Sequence, residues 1–329
     1  MQQVDIPGLS RCPTMLCLGT ASYGSAISRY HSFQLLDSFV EHGGNFLDTA
    51  HVYASWRPGG GGASETTIGE WMGSCGNRGE MVIGTKGCTL DKKTGGLPRF
   101  EPRQVARELD ESLSRLGSNY IDIYWLHRDN PGIPVADILG LFADWLSTGI
   151  IRALAVSNWT AFRIREAIAC ARATGLPEIC ASQIGWSLAY TTGQLAGDKT
   201  MLYMDEETYD FHVESQFPQI AYSSQANGFF AGKGVSLLSQ SNTGDEDLEG
   251  HRKQYGTEGN YARLKRATEL ARRRDTTARH IALSYILNHA FPTVAIVGPR
   301  TVSQVRDSCL APAISLSPEE VAALRGSWS

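Results

Sequence analysis

Four residues of complementary chemistry recur at the ends of short apolar runs: Asp48, Tyr53, Lys86 and His127. Asp48 closes the pair Phe46-Leu47, and a carboxylate just past a buried strand is costly unless it is paired. Lys86 follows Met81-Val-Ile-Gly-Thr85, and His127 follows Ile121-Asp-Ile-Tyr-Trp-Leu126. Tyr53 lies five residues beyond Asp48, in a turn. Consecutive parallel strands ending in Asp, Lys and His gather all four groups at one face. Such a set suits proton donation to an oxygen on which negative charge develops. A phenol titrates near ~10, too high for easy donation at neutral pH, and an adjacent cation lowers that value. Lys86 is the expected cation and Asp48 its counter-charge. His127 would hydrogen-bond the substrate oxygen and direct it. The plainer alternative is a structural Asp48–Lys86 ion pair beside a core His127 and a surface Tyr53.

The rest of the chain has to place those strand ends together. Strands are expected at residues 15–19, 45–48, 81–85, 121–126, 151–156, 179–184, 220–222 and 293–297. Helices are expected at 32–42, 64–74, 102–116, 135–148, 160–174, 203–215, 260–275, 277–289, 302–310 and 318–325. Val105, Leu109, Leu113 and Leu116 form an apolar stripe, opened by Pro102 and stopped by Gly117. Ser64 has the residue type that caps a helix start. Several strands are almost wholly apolar, as in Thr293-Val-Ala-Ile-Val297, which is how parallel strands buried on both faces read. Eight strands alternating with helices predict a (β/α)8 TIM barrel. Residues 1–15 should form a β-hairpin closing one end. No composition break marks a second domain, so residues 1–329 read as one unit. The polar stretches 88–101, 187–201 and 232–258 lack periodicity and read as loops.

Composition narrows the partners. The chain has 329 residues, 42% hydrophobic and 19% charged, which suits a large buried core. A formal net charge of −4 gives no drive towards nucleic acid or anionic membrane. No apolar run approaches the ~20 residues of a membrane span. Seven cysteines without a Cys-x-x-Cys pair fit reduced thiols, and a cytoplasmic protein is expected. No His/Cys cluster points to a metal. No Gly-x-Gly-x-x-Gly opens a helix after a strand, which argues against a Rossmann dehydrogenase. Gly228–Lys233 superficially resembles a nucleotide P-loop. It is one residue short, and Gly234 stands where Ser or Thr is required.

The stretches Asp48-Thr-Ala-His-Val-Tyr53, Gly84-Thr-Lys86, Leu126-His-Arg128 and Val156-Ser-Asn-Trp159 together resemble motifs of the aldo-keto reductases. The likeness continues in family order through Gln183 and Tyr222-Ser223 to Gly298-Pro-Arg-Thr301. It implies an NADP(H)-dependent oxidoreductase that reduces an aldehyde or ketone, with Asp48, Tyr53, Lys86 and His127 in the roles given above. It also implies that Ser157, Asn158 and Gln183 hold the carboxamide of nicotinamide, that the Tyr222 ring stacks on it, and that Ser223 onwards lies against the pyrophosphate. Ser224-Gln225 departs from the Pro-Leu that related reductases more often carry there. The turn from Gly298 into the next helix would take the adenosine 2′-phosphate and adenine. Arg300 is the candidate for the phosphate, helped by Thr301 and Gln304, with Asp307 meeting the adenine amine. Ser308 stands where the family often has Asn. For the NADPH phosphate, a helix start after the last barrel strand is a natural anion site.

Substrate choice is weakly encoded. Tyr23, Trp56, Trp125, Arg128, Trp159 and Trp186 lie near strand ends, and flat rings beside hydrogen-bonding groups suit a sugar-like or aryl carbonyl. Barrel core is the alternative for Trp125. Two other function classes fit the same motifs: a barrel that holds nucleotide and senses redox state without turnover, and a sugar isomerase or lyase that uses its cofactor transiently.

Overall fold

A computed structural model describes residues 1–57, 59–90, 96–239 and 246–328. Eight parallel strands close into a barrel in sequence order. They are β1 (Leu16–Gly19), β2 (Phe46–Asp48), β3 (Val82–Gly87), β4 (Ile121–Leu126), β5 (Ile151–Ser157), β6 (Ile179–Gly185), β7 (Gln219–Tyr222) and β8 (Thr293–Val297). The pairing of Leu18 with Val297 and of Leu18 with Leu47 seals the first strand between the last and the second. The expected (β/α)8 barrel is therefore the fold. Residues at the N-terminus pair antiparallel, with Gln3 opposite Thr14 and Val4 N–H donating to the Pro13 carbonyl at 2.9 Å. This hairpin brings Ile6 into the apolar plug formed by Phe46, Val82, Ile123 and Ala153 at the strand starts.

Strand parity explains why the candidate residues converge. Side chains two apart on a strand face the same way. Phe46, Val82, Trp125, Ala155, Ala181 and Ile220 all belong to the cluster inside the barrel. Asp48, His127, Ser157, Gln183 and Tyr222 each stand two residues further on, and Lys86 stands four past Val82, with Gly84 between them. All six therefore share the inward parity, at the C-terminal mouth. Register agrees: Asp48 lies opposite Gly84, Lys86 opposite Trp125, Ser157 opposite Gln183, and Gly185 opposite Tyr222. Residues of the other parity, among them Leu47, Ile83, Tyr124 and Val156, pack outward against the helices. Each fully buried large apolar side chain contributes roughly 1.5–3 kcal/mol by leaving water.

The helices are α1 (Arg29–Glu41), α2 (Ala63–Cys75), α3 (Pro102–Leu116), α4 (Val135–Gly140), α5 (Ala143–Ser147), α6 (Ala161–Thr174), α7 (Glu206–Ser215), α8 (Lys233–Ser239), α9 (Glu246–Tyr255), α10 (Glu258–Arg273), α11 (Ala278–Leu287), α12 (Val302–Ser308) and α13 (Pro318–Arg325). Three expectations need correction. Residues 135–148 form two short helices rather than one, because the chain turns at Leu141 and Phe142. Ser64 does not cap α2: Gly62, in the left-handed region at φ 75°, does, and Ser64 lies inside the helix. The stretch 232–258 is not a bare loop but carries α8 and α9, while its residues 240–245 lie outside the described residues. In the loop read at 88–101, residues 91–95 also lie outside them.

Candidate active site

At the barrel mouth Lys86 is buried and donates three hydrogen bonds. Its Nζ reaches Asp48 Oδ2 at 2.5 Å, the Thr49 carbonyl at 2.9 Å and the Tyr53 hydroxyl at 3.1 Å. The ammonium has three protons, so each has a partner. The Tyr53 hydroxyl also stands 3.5 Å from Asp48 Oδ2. The His127 ring packs edge-on to Tyr53, with ring centroids 6.2 Å apart. All four sequence-predicted residues thus meet at one spot. Burial would lower the Lys86 pKa, but Asp48 and Tyr53 outweigh it, and the pKa is raised. Lys86 therefore remains a cation. The expected lowering of the Tyr53 pKa is not what results. Burial raises it, Asp48 adds to the rise, and Lys86 only offsets part of it. The phenol keeps its proton at neutral pH. Burial and the nearby cations Arg128 and Lys86 hold His127 well below the usual imidazole range, so its ring is neutral.

Around this group the strand-end amides are closely tied. Gln183 Nε2 donates to Asp48 Oδ1 at 2.9 Å, which fixes the carboxylate from the side opposite Lys86. Ser157 donates to the Gln183 carbonyl at 3.0 Å. Asn158 sits in the left-handed region at φ 59°, which Asn tolerates better than most residues. Its Nδ2 donates to the His127 carbonyl at 3.3 Å and to Ser157 Oγ at 3.0 Å. Its Oδ1 accepts from Leu202 N–H at 3.0 Å and from the Tyr222 hydroxyl at 2.8 Å. The Asn158 amide is thus bonded on both its atoms within the protein.

A cleft of about 1210 Å³ runs from this mouth across the ends of β7, β8 and β1. Asp48, Tyr53 and Tyr222 line it beside the barrel mouth, and Gly298, Arg300 and Gln304 line it after β8. Ser223, Asp307 and Ser308 line it as well. Thr301 instead caps α12, its hydroxyl accepting from Gln304 N–H at 3.2 Å. Asp307 is paired with Arg279 at 2.7 Å and with His280 Nε2 at 3.0 Å. Ser308 accepts from Gln225 Nε2 at 3.3 Å. The cleft is wider than a site for one small molecule needs.

A family-wide sequence pattern described as the Aldo/keto reductase family matches residues 15–329. The chain belongs to the aldo/keto reductase family. Its relatives agree. Norsolorinic acid reductase stcV of Emericella nidulans is 27% identical over 93% of this chain and 76% of its own length. The oxidoreductase YrpG of Bacillus subtilis is 27% identical over 92% of this chain and 89% of its own length. Protein Tas of Escherichia coli is 25% identical over 98% and 96%. The chain is accordingly an oxidoreductase, in a family that uses NAD(P)H.

Of the aromatic residues read near the strand ends of this aldo/keto reductase, most are core. Tyr23, Trp125, Trp159 and Trp186 are all buried. Trp56 is 61% exposed and stands edge-on to Tyr53, with ring centroids 6.3 Å apart. Arg128 follows His127 and donates to Thr200 Oγ1 at 3.1 Å and to Asp198 at 3.4 Å. Sequence reasoning missed Thr20, Lys253 and Arg279 as cleft residues. Lys253 lay in the stretch read as aperiodic loop. Arg279 sat one helix away from the motif it pairs with, where no local pattern marks it. Among the described residues, no helix is long and apolar enough to cross a membrane, and no cluster of His, Cys, Asp or Glu could hold a metal ion.

Proposed function

We propose that this aldo/keto reductase reduces an aldehyde or ketone to the alcohol with NADPH, Tyr53 supplying the proton. The observation that carries the reading is the Lys86 ammonium bonded at once to Asp48 and to the Tyr53 hydroxyl. The cleft has the volume for a dinucleotide, and the cation Arg300 and the residues at the start of α12 line it together with Tyr53. Ser157, Asn158, Gln183 and Tyr222 would hold the nicotinamide end, and Ser223 the pyrophosphate. Gly298, Arg300, Thr301, Gln304, Asp307 and Ser308 would hold the adenosine end. Bound there, the coenzyme supplies hydride.

The chain does the rest. Neutral His127 hydrogen-bonds the substrate oxygen and aims the carbonyl. Tyr53 gives that oxygen its proton as negative charge develops on it. Lys86, kept cationic by Asp48, stabilises the phenolate that remains. Gln183 holds Asp48 in place. The raised pKa of Tyr53 supports this direction, since a donor has to arrive protonated. The substrate is a small carbonyl compound, with Trp56 and Arg128 at its entrance. Consumption of NADPH followed at 340 nm across a panel of aldehydes, ketones and sugars tests the reading. Steady coenzyme oxidation with any of them supports it. Turnover without net loss of NADPH, or bound coenzyme with no turnover of any carbonyl, contradicts it.

A further inference from the structure

A second set of charged side chains lies behind the turn that carries Tyr53, and the mechanism above does not use it. Glu65 on α2 is fully buried. Its Oε1 accepts from the Thr85 hydroxyl at 2.6 Å, and its Oε2 from Arg115 Nη1 at 3.1 Å. Arg115, near the end of α3, also donates to the His51 carbonyl at 3.3 Å and to Glu111 Oε2 at 2.9 Å. Glu111 Oε2 stands 2.8 Å from His51 Nε2, and that contact lowers the Glu111 pKa. His51 precedes Tyr53 by two residues, and its N–H donates to the Lys86 carbonyl at 2.9 Å. At the far end of the turn, a Cβ on Gly62 would come within 2.5 Å of Arg115 Nε. One guanidinium therefore touches both ends of the turn. Through Glu65 and Thr85 it is also joined to the strand that bears Lys86.

Backbone hydrogen bonds within the turn, from Tyr53, Ser55 and Arg57 N–H to the Ala50, Val52 and Ala54 carbonyls at 3.0 Å each, give it its shape. Ala54, directly after Tyr53, is in the left-handed region at φ 67°, which residues with a Cβ seldom adopt. Positions for a Cβ on Gly59 and Gly61 meet nothing within 4 Å, whereas one on Gly60 would come within 2.3 Å of the Ala54 carbonyl, so these glycines alternate between open space and the turn itself. A reacting group displaced by about 1 Å loses roughly a hundredfold in rate.

We propose that Arg115 is a positioning residue for proton transfer: by tying His51 to Glu65 and Glu111 and packing against Gly62, it fixes the Tyr53 hydroxyl within hydrogen-bond reach of Lys86. This rests on the reading of Tyr53 as proton donor. Arg115 touches neither the substrate entrance nor the coenzyme cleft, so its loss acts on the chemical step alone.

The test compares Arg115→Met, Arg115→Lys and Tyr53→Phe with the parent protein. It measures single-turnover reduction of the best carbonyl of the panel, NADPH affinity by tryptophan quenching, and the response to added ethylguanidinium. Arg115→Met is expected to slow turnover about 10- to 100-fold, keep NADPH affinity within about twofold, and recover several-fold with ethylguanidinium. Arg115→Lys keeps the charge but not the planar fork, so it should lie between parent and Met variant. A rate within about twofold of the parent overturns the proposal. So does a loss of rate matched by a loss of NADPH affinity, or a slowed variant that ethylguanidinium leaves unchanged. Should Arg115→Met fail to fold, Arg115→Lys and Glu111→Gln carry the same comparison. Tyr53→Phe separates the two claims. If it keeps the full rate, the proton-donor reading fails; if it is slow while Arg115→Met is fast, only the positioning role fails.

Discussion

At the scale of single residues, burial rather than the neighbouring cation sets the ionisation of Tyr53. Lys86 opposes the rise in its pKa without reversing it, and the phenol enters the reaction protonated. His127 is neutral because burial and two cations depress its pKa. Neither group therefore changes charge near neutrality. The rate of carbonyl reduction should stay level from pH 6 to 8, and a pH profile with a fall centred near 6.5 would contradict the assignment of His127 as a neutral director. Alcohol oxidation by the same groups needs a proton acceptor and should instead accelerate as pH rises. In the cleft, Arg300→Ala should weaken NADPH binding about tenfold or more while NADH binding stays within about twofold. That follows from the ~1.5–3 kcal/mol of a hydrogen bond to a charged group, and quenching titrations with both coenzymes read it. Equal losses for the two would remove Arg300 from the 2′-phosphate role. Asp48, Lys86 and His127 were legible because each is a charged or polar residue ending an apolar run. The commitments of Asn158 were not: its partners Leu202 and Tyr222 come from distant segments, one of them a stretch with no period.

At the scale of elements, the strands were readable and the helix starts less so. A strand buried on both faces announces itself by a mostly apolar run, and the bounds of β3, β5 and β8 fell within a residue or two of those expected. Ser64 misled because Ser is a common capping type. In the fold its hydroxyl works sideways: it donates to the Thr20 carbonyl at 2.8 Å and meets Thr20 and Thr49 hydroxyls at 2.8 Å each. It thus joins α2 to the residues just past β1 and β2, in a fully buried spot. Ser64→Ala leaves those hydroxyls short of a partner and should cost about 1–3 kcal/mol. A lowered urea midpoint with unchanged slope checks this, and an unchanged midpoint contradicts it. The helices α8 and α9 escaped notice because their sequence is polar and glycine-bearing, with no apolar stripe to reveal a period.

At the scale of the whole molecule, a closed barrel turns one parity into function: every strand-end candidate stands two or four residues past an interior side chain. The same dense packing leaves a mark on stability. Burial pulls His212 to about 4 and His289 to about 3. Unfolded, each titrates near ~6.5. Below that pH the unfolded chain takes up protons that the folded one refuses, so stability falls as pH drops from about 6.5 towards 4. The slope is at most ~1.4 kcal/mol per pH unit for each histidine, and the full stability is present above pH 7. Urea midpoints at pH 7.5, 6.5, 5.5 and 4.5 should decline in that order; a flat series would contradict neutral burial of the two rings. The central claim is that the Tyr53 hydroxyl, set against Lys86, delivers the proton to a reduced carbonyl. Its most direct measurement is single-turnover NADPH oxidation at 340 nm by Tyr53→Phe. A rate lower by about 10²–10⁴-fold with NADPH affinity retained is predicted, and reduction at the parent rate would contradict it.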